Sequence, residues 1–184
     1  GTTDPGAVYQ GRQEKNDNLR MALAVGQILS EDGVDVGYTR VQDVYQSPLQ
    51  KAQMANNWEA DYFVSFHRNA MPVPGTASGT ESLIFSRGGE AEQLASNINA
   101  ELGQAGWNDL GTTERPGLIV LRKTEMPAVL VEVGFLDNPE DNQRFDAHFE
   151  HTARAIADGI LNTLRSPEGQ PEYYQIQVGA YADK

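Results

Sequence analysis

His67 is placed where catalytic chemistry is possible, because it follows an apolar run with the composition of a buried strand. Residues 62–66 read Tyr-Phe-Val-Ser-Phe, and the polar residues after them predict that the strand ends there. In open α/β sheets, ligands bind at the carboxyl ends of the strands. An imidazole at that edge can serve as a metal ligand or as a base, although most single histidines do neither.

Glu132 lies inside the most apolar segment of the chain, residues 128–135. A buried carboxylate costs several kcal/mol unless it is ion-paired, metal-bound or protonated. One interpretation is a structural ion pair with a nearby arginine such as Arg122 or Arg144. The other is a general base with a raised pKa, close to His67 at the mouth of the sheet.

Other acidic and imidazole side chains have ordinary interpretations as well as functional ones. Glu14 precedes a predicted helix, where a carboxylate is usually a surface charge favoured by the helix dipole. His148 and His151 have the i, i+3 spacing that can bind a metal on a helix. Their acidic neighbours indicate a solvated surface instead. Glu81 lies at the start of a predicted strand, just after Gly79, where it can line a cleft, although its spacing does not require it.

The composition limits the classes of partner and of metal site. The formal net charge is −12, from 26 acidic and 14 basic residues, which disfavours nucleic acid and anionic lipid as partners. No apolar run approaches the roughly 20 residues of a membrane span, and no targeting segment is recognisable. Cysteine is absent, so any metal site must use His, Asp and Glu side chains.

The elements that must position these residues alternate between strands and helices. We predict strands at 34–40, 62–67, 80–85, 117–121 and 128–135, with a flexible link through Gly106 and Gly111. Helices are predicted at 17–32, 47–58, 90–104 and 148–164, with a short one after Asn138. This order indicates an α/β fold, with a twisted, mostly parallel (mixed) sheet of about five or six strands and helices on both faces.

The composition changes after residue 165. Residues 1–165 form the predicted main domain, and residues 166–172 have the composition of a linker. Within residues 173–184, an alternating pattern predicts one strand that the sequence leaves without a partner. A lone strand does not make a domain, so we expect this segment to be the beginning of an incomplete one.

The ordered motifs of residues 1–165 resemble the zinc-dependent N-acetylmuramoyl-L-alanine amidases that cut bacterial cell wall. Any one motif is weak, but the set in this order is specific. The motifs are Asp4-Pro5-Gly6-Ala7, Glu14 ahead of Asn18-Leu19, Thr39-Arg40, residues 60–70, Ser78-Gly79-Thr80-Glu81, residues 118–122 and residues 126–138. The tail, residues 173–184, resembles the first strand of a SPOR domain, a module that binds peptidoglycan glycan strands.

The resemblance implies a role for each matching residue. Glu14 and His67 would be zinc ligands, and Glu132 the catalytic acid/base. We also expect Asn69 and Glu81, which lie near strand ends, to bind substrate. The family's third ligand is a histidine in a Gly-His-Gly turn just before the Asp-Pro-Gly-Ala loop. That position, like the family's first strand, falls upstream of Gly1.

The implied reaction is hydrolysis of the amide between the lactyl group of N-acetylmuramic acid and L-alanine of the stem peptide, by zinc-activated water. The partner would be peptidoglycan, so we expect action outside the cell, in the cell wall or periplasm, and a monomeric protein without membrane insertion. Two alternatives stay open. One is a zinc peptidase of the carboxypeptidase type, and the other is a non-catalytic peptidoglycan-binding or regulatory module with an incomplete metal site.

Overall fold

The computed structural model describes residues 1, 3–165 and 175–180 of the 184-residue chain. The described helices and strands follow one another in this order: β1 Val8–Tyr9, β2 Arg12–Gln13, α1 Glu14–Glu31, β3 Asp35–Tyr38, α2 Pro48–Asn57, β4 Tyr62–Asn69, β5 Thr80–Ile84, α3 Glu90–Gln104, β6 Asp109–Glu114, α4 Ile119–Arg122, β7 Ala128–Phe135, α5 Pro139–Ala147, α6 Phe149–Leu164 and β8 Gln175–Ala180.

Among the described residues, six strands form the main sheet, in the order β3-β8-β4-β7-β5-β6, while β1 and β2 pair separately as a short hairpin. All neighbours in the main sheet are parallel except β5 and β7, which are antiparallel. The predicted α/β class with a mixed sheet is therefore confirmed. The reversed β5 brings its first residues to the edge where β4 and β7 end.

Helices cover both faces of the sheet because the central strands are apolar on both sides. On one face α1, α3 and α6 form the larger core with alternate residues of β4 and β7, such as Phe66 and Val131. On the other face α2 and α4 pack against the intervening residues, such as Phe63 and Leu130. The helices described here include none that is long and apolar enough to cross a bilayer.

Two predicted elements differ from the structure. The apolar run 117–121 was predicted to be a strand, but it contains the helix α4, whose Val120 and Leu121 are buried in the smaller core. A short apolar run alone does not distinguish strand from buried helix. The predicted link through Gly111 is instead the edge strand β6, which is mostly polar and half exposed. The predicted helix 148–164 and the short helix after Asn138 are confirmed as α6 and α5.

The predicted C-terminal strand does have partners. β8 lies between β3 and β4, parallel to both, and its Ile176 and Val178 are buried in the larger core. The backbone N–H of Gln175 also donates to Asp61 Oδ2 at 2.7 Å. The expectation of an unpaired strand is wrong for these residues, because pairing with distant strands leaves no local signal. The proposed linker 166–172, together with residues 173–174 and 181–184 of the predicted second domain, lies outside the described residues. The assignment of a second domain stays a prediction.

Candidate active site

His67 and Glu132 are neighbours on adjacent strands. His67 on β4 is the register partner of Glu132 on β7, and each is only 1% exposed. Side chains alternate along a strand, so both project toward the face that carries Phe63 and Leu130. The structure therefore brings together two residues that the sequence singled out for lying in buried strands.

Glu81 lies one strand further along the sheet, on β5, next to Glu132. It is the register partner of Glu132 in the antiparallel β5–β7 pair, so the two carboxylates share a face. Thr113 Oγ1, on β6, donates a hydrogen bond to Glu81 Oε1 at 2.6 Å. His67, Glu132 and Glu81 therefore follow one another across three strands at one edge of the sheet.

Glu14 reaches the same edge from the first turn of α1. The carboxylate is buried, and its Oε1 lies 3.0 Å from His67 Nδ1. The backbone N–H of Arg68 donates to Oε1 at 3.2 Å, and that of Ala7 donates to Oε2 at 3.0 Å. The interpretation of Glu14 as a surface charge ahead of the helix is wrong, because it is the first helical residue and is buried against β4.

The pair of Glu14 and His67 fits two ligands of one zinc ion in type and in spacing. Carboxylate oxygen and imidazole nitrogen are ordinary zinc donors, and two donors of one tetrahedral site lie about 3.3 Å apart. The 3.0 Å separation of Glu14 Oε1 and His67 Nδ1 is close to that value. Within the described residues, no group of three His, Cys, Asp or Glu side chains is arranged to hold a metal. Glu132 therefore stands beside this pair rather than completing a ligand cluster.

The remaining candidates from the sequence occupy other positions. Asn69 ends β4, half buried, and its Oδ1 accepts a hydrogen bond from the backbone N–H of Ala70 at 2.9 Å. His148 and His151 are exposed at the junction of α5 and α6, which agrees with the solvated-surface interpretation. The guanidinium of Arg144 lies over the Trp107 ring, 5.8 Å from its centroid.

The sequence reasoning missed Arg68 and Asp17. Arg68 is 1% exposed, and its Nη1 lies 2.7 Å from Asp17 Oδ2. Burial of the guanidinium lowers the pKa of Arg68 to about 10, even though the charge of Asp17 acts in the opposite direction. Two features of the sequence could have indicated this ion pair. Arg68 is a charged residue directly after an apolar strand, and Asp17 is an acid one helical turn after Glu14.

The loop between β4 and β5, residues 70–79, is anchored at both ends by side chains that follow β7. The anchoring bonds are Asp137 with the Met71 N–H at 2.9 Å, Asn138 with the Ala77 carbonyl at 2.9 Å, and Asp141 with the Ser78 hydroxyl at 2.6 Å and the Gly79 N–H at 3.0 Å. The middle of the loop is exposed. These bonds fix the segments that leave His67 and arrive at Glu81.

Gly134 permits a bulge immediately after Glu132. The register shifts here, because Arg68 on β4 stands opposite two residues of β7, and Gly134 has a φ of 74°. A Cβ at this position would lie 2.5 Å from the Trp107 ring. We expect Gly134→Ala to lower the free energy of unfolding by about 2–5 kcal/mol, from the left-handed backbone and the crowding together. Denaturant unfolding measures this change.

Gly103→Ala is the matched control for Gly134→Ala. Gly103 lies in α3, and a Cβ there would meet nothing within 4 Å. Alanine is favoured over glycine in a helix by roughly 0.5–1 kcal/mol, so this variant should be slightly more stable than the parent. Equal stability of the two variants would contradict the role given to Gly134.

Comparison with known proteins agrees with the geometry. A family model described as N-acetylmuramoyl-L-alanine amidase matches residues 1–162. The sporulation-specific N-acetylmuramoyl-L-alanine amidase of Bacillus subtilis (strain 168) is 34% identical over 191 residues, covering 100% of this chain and 73% of the relative.

Solved structures give the same result. An N-acetylmuramoyl-L-alanine amidase from Clostridium difficile 630 superposes with a TM-score of 0.81 at 32% identity, over 86% of this chain and 87% of the other. The catalytic domain of CwlV, an N-acetylmuramoyl-L-alanine amidase from Bacillus (Paenibacillus) polymyxa var. colistinus, also gives 0.81 at 32% identity, over 89% of this chain and 93% of the other.

Proposed function

The chain belongs to the N-acetylmuramoyl-L-alanine amidase family, and we propose that Glu14, His67 and Glu132 form its catalytic centre. As a member of this family it is a hydrolase of cell-wall peptidoglycan. The proposed reaction is cleavage of the amide that joins the lactyl group of N-acetylmuramic acid to L-alanine of the stem peptide. The observation that carries the proposal is the 3.0 Å contact between Glu14 and His67, with Glu132 in register beside His67.

Glu14 and His67 are the residues proposed to hold the zinc ion. A bound zinc ion would polarise the scissile carbonyl and lower the pKa of water at the site toward roughly 7. The backbone N–H groups of Ala7 and Arg68 orient the Glu14 carboxylate, so this ligand needs little rearrangement to bind. Water, substrate or a further protein ligand would fill the remaining coordination positions.

Glu132 is proposed to move the proton. Its carboxylate takes a proton from the attacking water as the water oxygen bonds to the carbonyl carbon. It then delivers that proton to the alanine nitrogen as the carbon–nitrogen bond breaks. The products are a free lactyl carboxyl group on the glycan and a stem peptide with a free amino terminus, so atoms and charge balance.

Glu81 and Asn69 are proposed to contact the substrate on either side of the reacting bond. Glu81 lies on the side of Glu132 away from His67, where its carboxylate can accept hydrogen bonds from peptide N–H or sugar hydroxyl groups. Asn69 lies two residues after His67, at the end of β4, and its side-chain amide can form hydrogen bonds with substrate. We further propose that the protein acts at the cell wall, outside the cytoplasm, as a monomer.

The products of digestion test the proposed function. Purified peptidoglycan incubated with the chain and zinc should release stem peptides that begin with L-alanine, identified by mass spectrometry. A chelator should abolish release, and added zinc should restore it, because the proposed reaction needs the metal to polarise the carbonyl and activate water. Glycan strands that keep intact stem peptides would contradict the proposal.

The same digestion separates the alternatives. A zinc peptidase of the carboxypeptidase type would shorten the stem peptides and leave the lactyl amide intact. A non-catalytic module would sediment with peptidoglycan but release nothing, with or without zinc.

A further inference from the structure

The ion pair between Arg68 and Asp17 connects the two elements that carry the proposed ligands. Asp17 lies on the first turn of α1, three residues after Glu14, and Arg68 directly follows His67 on β4. Arg68 Nη1 lies 2.7 Å from Asp17 Oδ2, and both side chains are buried. The pair therefore fixes the start of α1 against the end of β4.

Arg68 holds the first turn of α1 in two ways. Its backbone N–H donates to Glu14 Oε1, while its side chain binds Asp17. One residue thus contacts a proposed ligand and the acid one turn further along the same helix. Asp17 and Glu14 are neighbours on one turn of the helix, so a change in the position of Asp17 relative to β4 is expected to move Glu14 as well.

The guanidinium is itself held on its other sides by α5. Its Nη2 donates to Asn142 Oδ1 at 2.8 Å, and it lies over the Phe145 ring, 4.3 Å from the centroid. The side chain therefore has one fixed position instead of the many that an exposed arginine samples. A fixed donor can set the distance between two elements, whereas a mobile one cannot.

We infer that Arg68 is a positioning residue that sets the separation of Glu14 and His67 for metal binding. This inference rests on the proposed function, since it assumes that Glu14 and His67 hold zinc. Arg68 is not among the residues proposed to contact substrate. It acts through the helix, so its loss should weaken the metal site while the substrate-binding side chains keep their places.

Arg12 provides a matched control within the same cluster. Its Nε also lies 2.7 Å from Asp17 Oδ2, its Nη2 lies 2.8 Å from Asp146 Oδ1, and it also stacks on Phe145, at 5.4 Å. None of these partners of Arg12 lies on β4. Removing Arg12 thus weakens the cluster without loosening α1 from the strand that carries His67.

The test compares the zinc dissociation constants of three variants by chelator competition, at a temperature well below their unfolding midpoints. Arg68→Met should weaken zinc binding by about 10–100-fold, the usual effect of removing a group that supports a ligand. Arg68→Lys, which can still reach Asp17, should recover part of the loss. Arg12→Met should change zinc affinity by less than about 3-fold, since the ion pair of Arg68 with Asp17 still joins α1 to β4.

Arg68→Met should remain folded, because Asp17 keeps Arg12 as a partner and methionine can pack on Phe145. In peptidoglycan digestion at saturating zinc, its KM should match that of the parent. Equal zinc affinity of Arg68→Met and the parent, or equal losses in the Arg68→Met and Arg12→Met variants, would overturn the inference and leave the proposed function standing. A parent chain that binds no zinc would overturn both.

Discussion

Glu132→Gln should lower the rate of peptidoglycan hydrolysis by about 10²–10⁴-fold, the contribution of a general acid/base, while zinc content stays the same. Glutamine has nearly the same shape as glutamate but cannot accept and return a proton. Glu132 is buried beside His67 and is not one of the two proposed ligands, so its replacement should leave the metal in place. Release of stem peptides and metal analysis of the same preparation measure the two quantities.

Glu150→Gln is the control for this charge change. Glu150 lies on the first turn of α6 and is exposed, so its variant should hydrolyse peptidoglycan at the parental rate. If Glu132→Gln retained parental activity, the assignment of the acid/base would be wrong. Loss of zinc together with activity in that variant would instead place Glu132 among the ligands.

His67→Ala should weaken zinc binding by more than about 100-fold, since removing even the groups that support ligands costs about 10–100-fold. The buried imidazole provides one of the two proposed protein donors, and in the described part of the chain no third His, Cys, Asp or Glu forms a metal-holding group with the pair. Metal content after dialysis and the zinc dissociation constant measure the loss. Hydrolysis should fall with it.

Two further variants make the His67 result interpretable. Glu14→Gln keeps the size of the side chain and should lose zinc affinity in the same direction, without the cavity that alanine leaves. His151→Ala removes an exposed imidazole on α6 and should leave zinc affinity unchanged. Parental zinc affinity in both His67→Ala and Glu14→Gln would show that the metal, if any, binds elsewhere.

The central strands were predictable because their signals are local. Residues 62–67 and 128–135 are apolar runs of strand length, and the structure forms β4 and β7 there. The edge strand β6 has a polar sequence without that signal, so it was missed. The partners of β8 were not predictable, because Ile176 pairs with residues 36 and 62, which are distant in the sequence.

The sequence identified those residues of the proposed site that are polar side chains within strands predicted to be buried. His67 and Glu132 stand out as polar residues in apolar strands, and the structure makes them neighbours. Glu14 gave no such signal, and only the family resemblance singled it out. The ion pair of Arg68 with Asp17 spans 51 residues of sequence, so its existence depends on the packing of α1 against β4.

Because β5 runs opposite to β7, the loop between β4 and β5 borders the edge of the sheet that carries the proposed site. Residues 70–79 leave and rejoin the sheet at the same edge, and Asp137, Asn138 and Asp141 fasten both of their ends. Residues 72–76, in the middle of this loop, are exposed. Evolution can therefore lengthen or shorten the middle of this loop, and so change which substrates fit at this edge, without disturbing the residues proposed to perform the reaction.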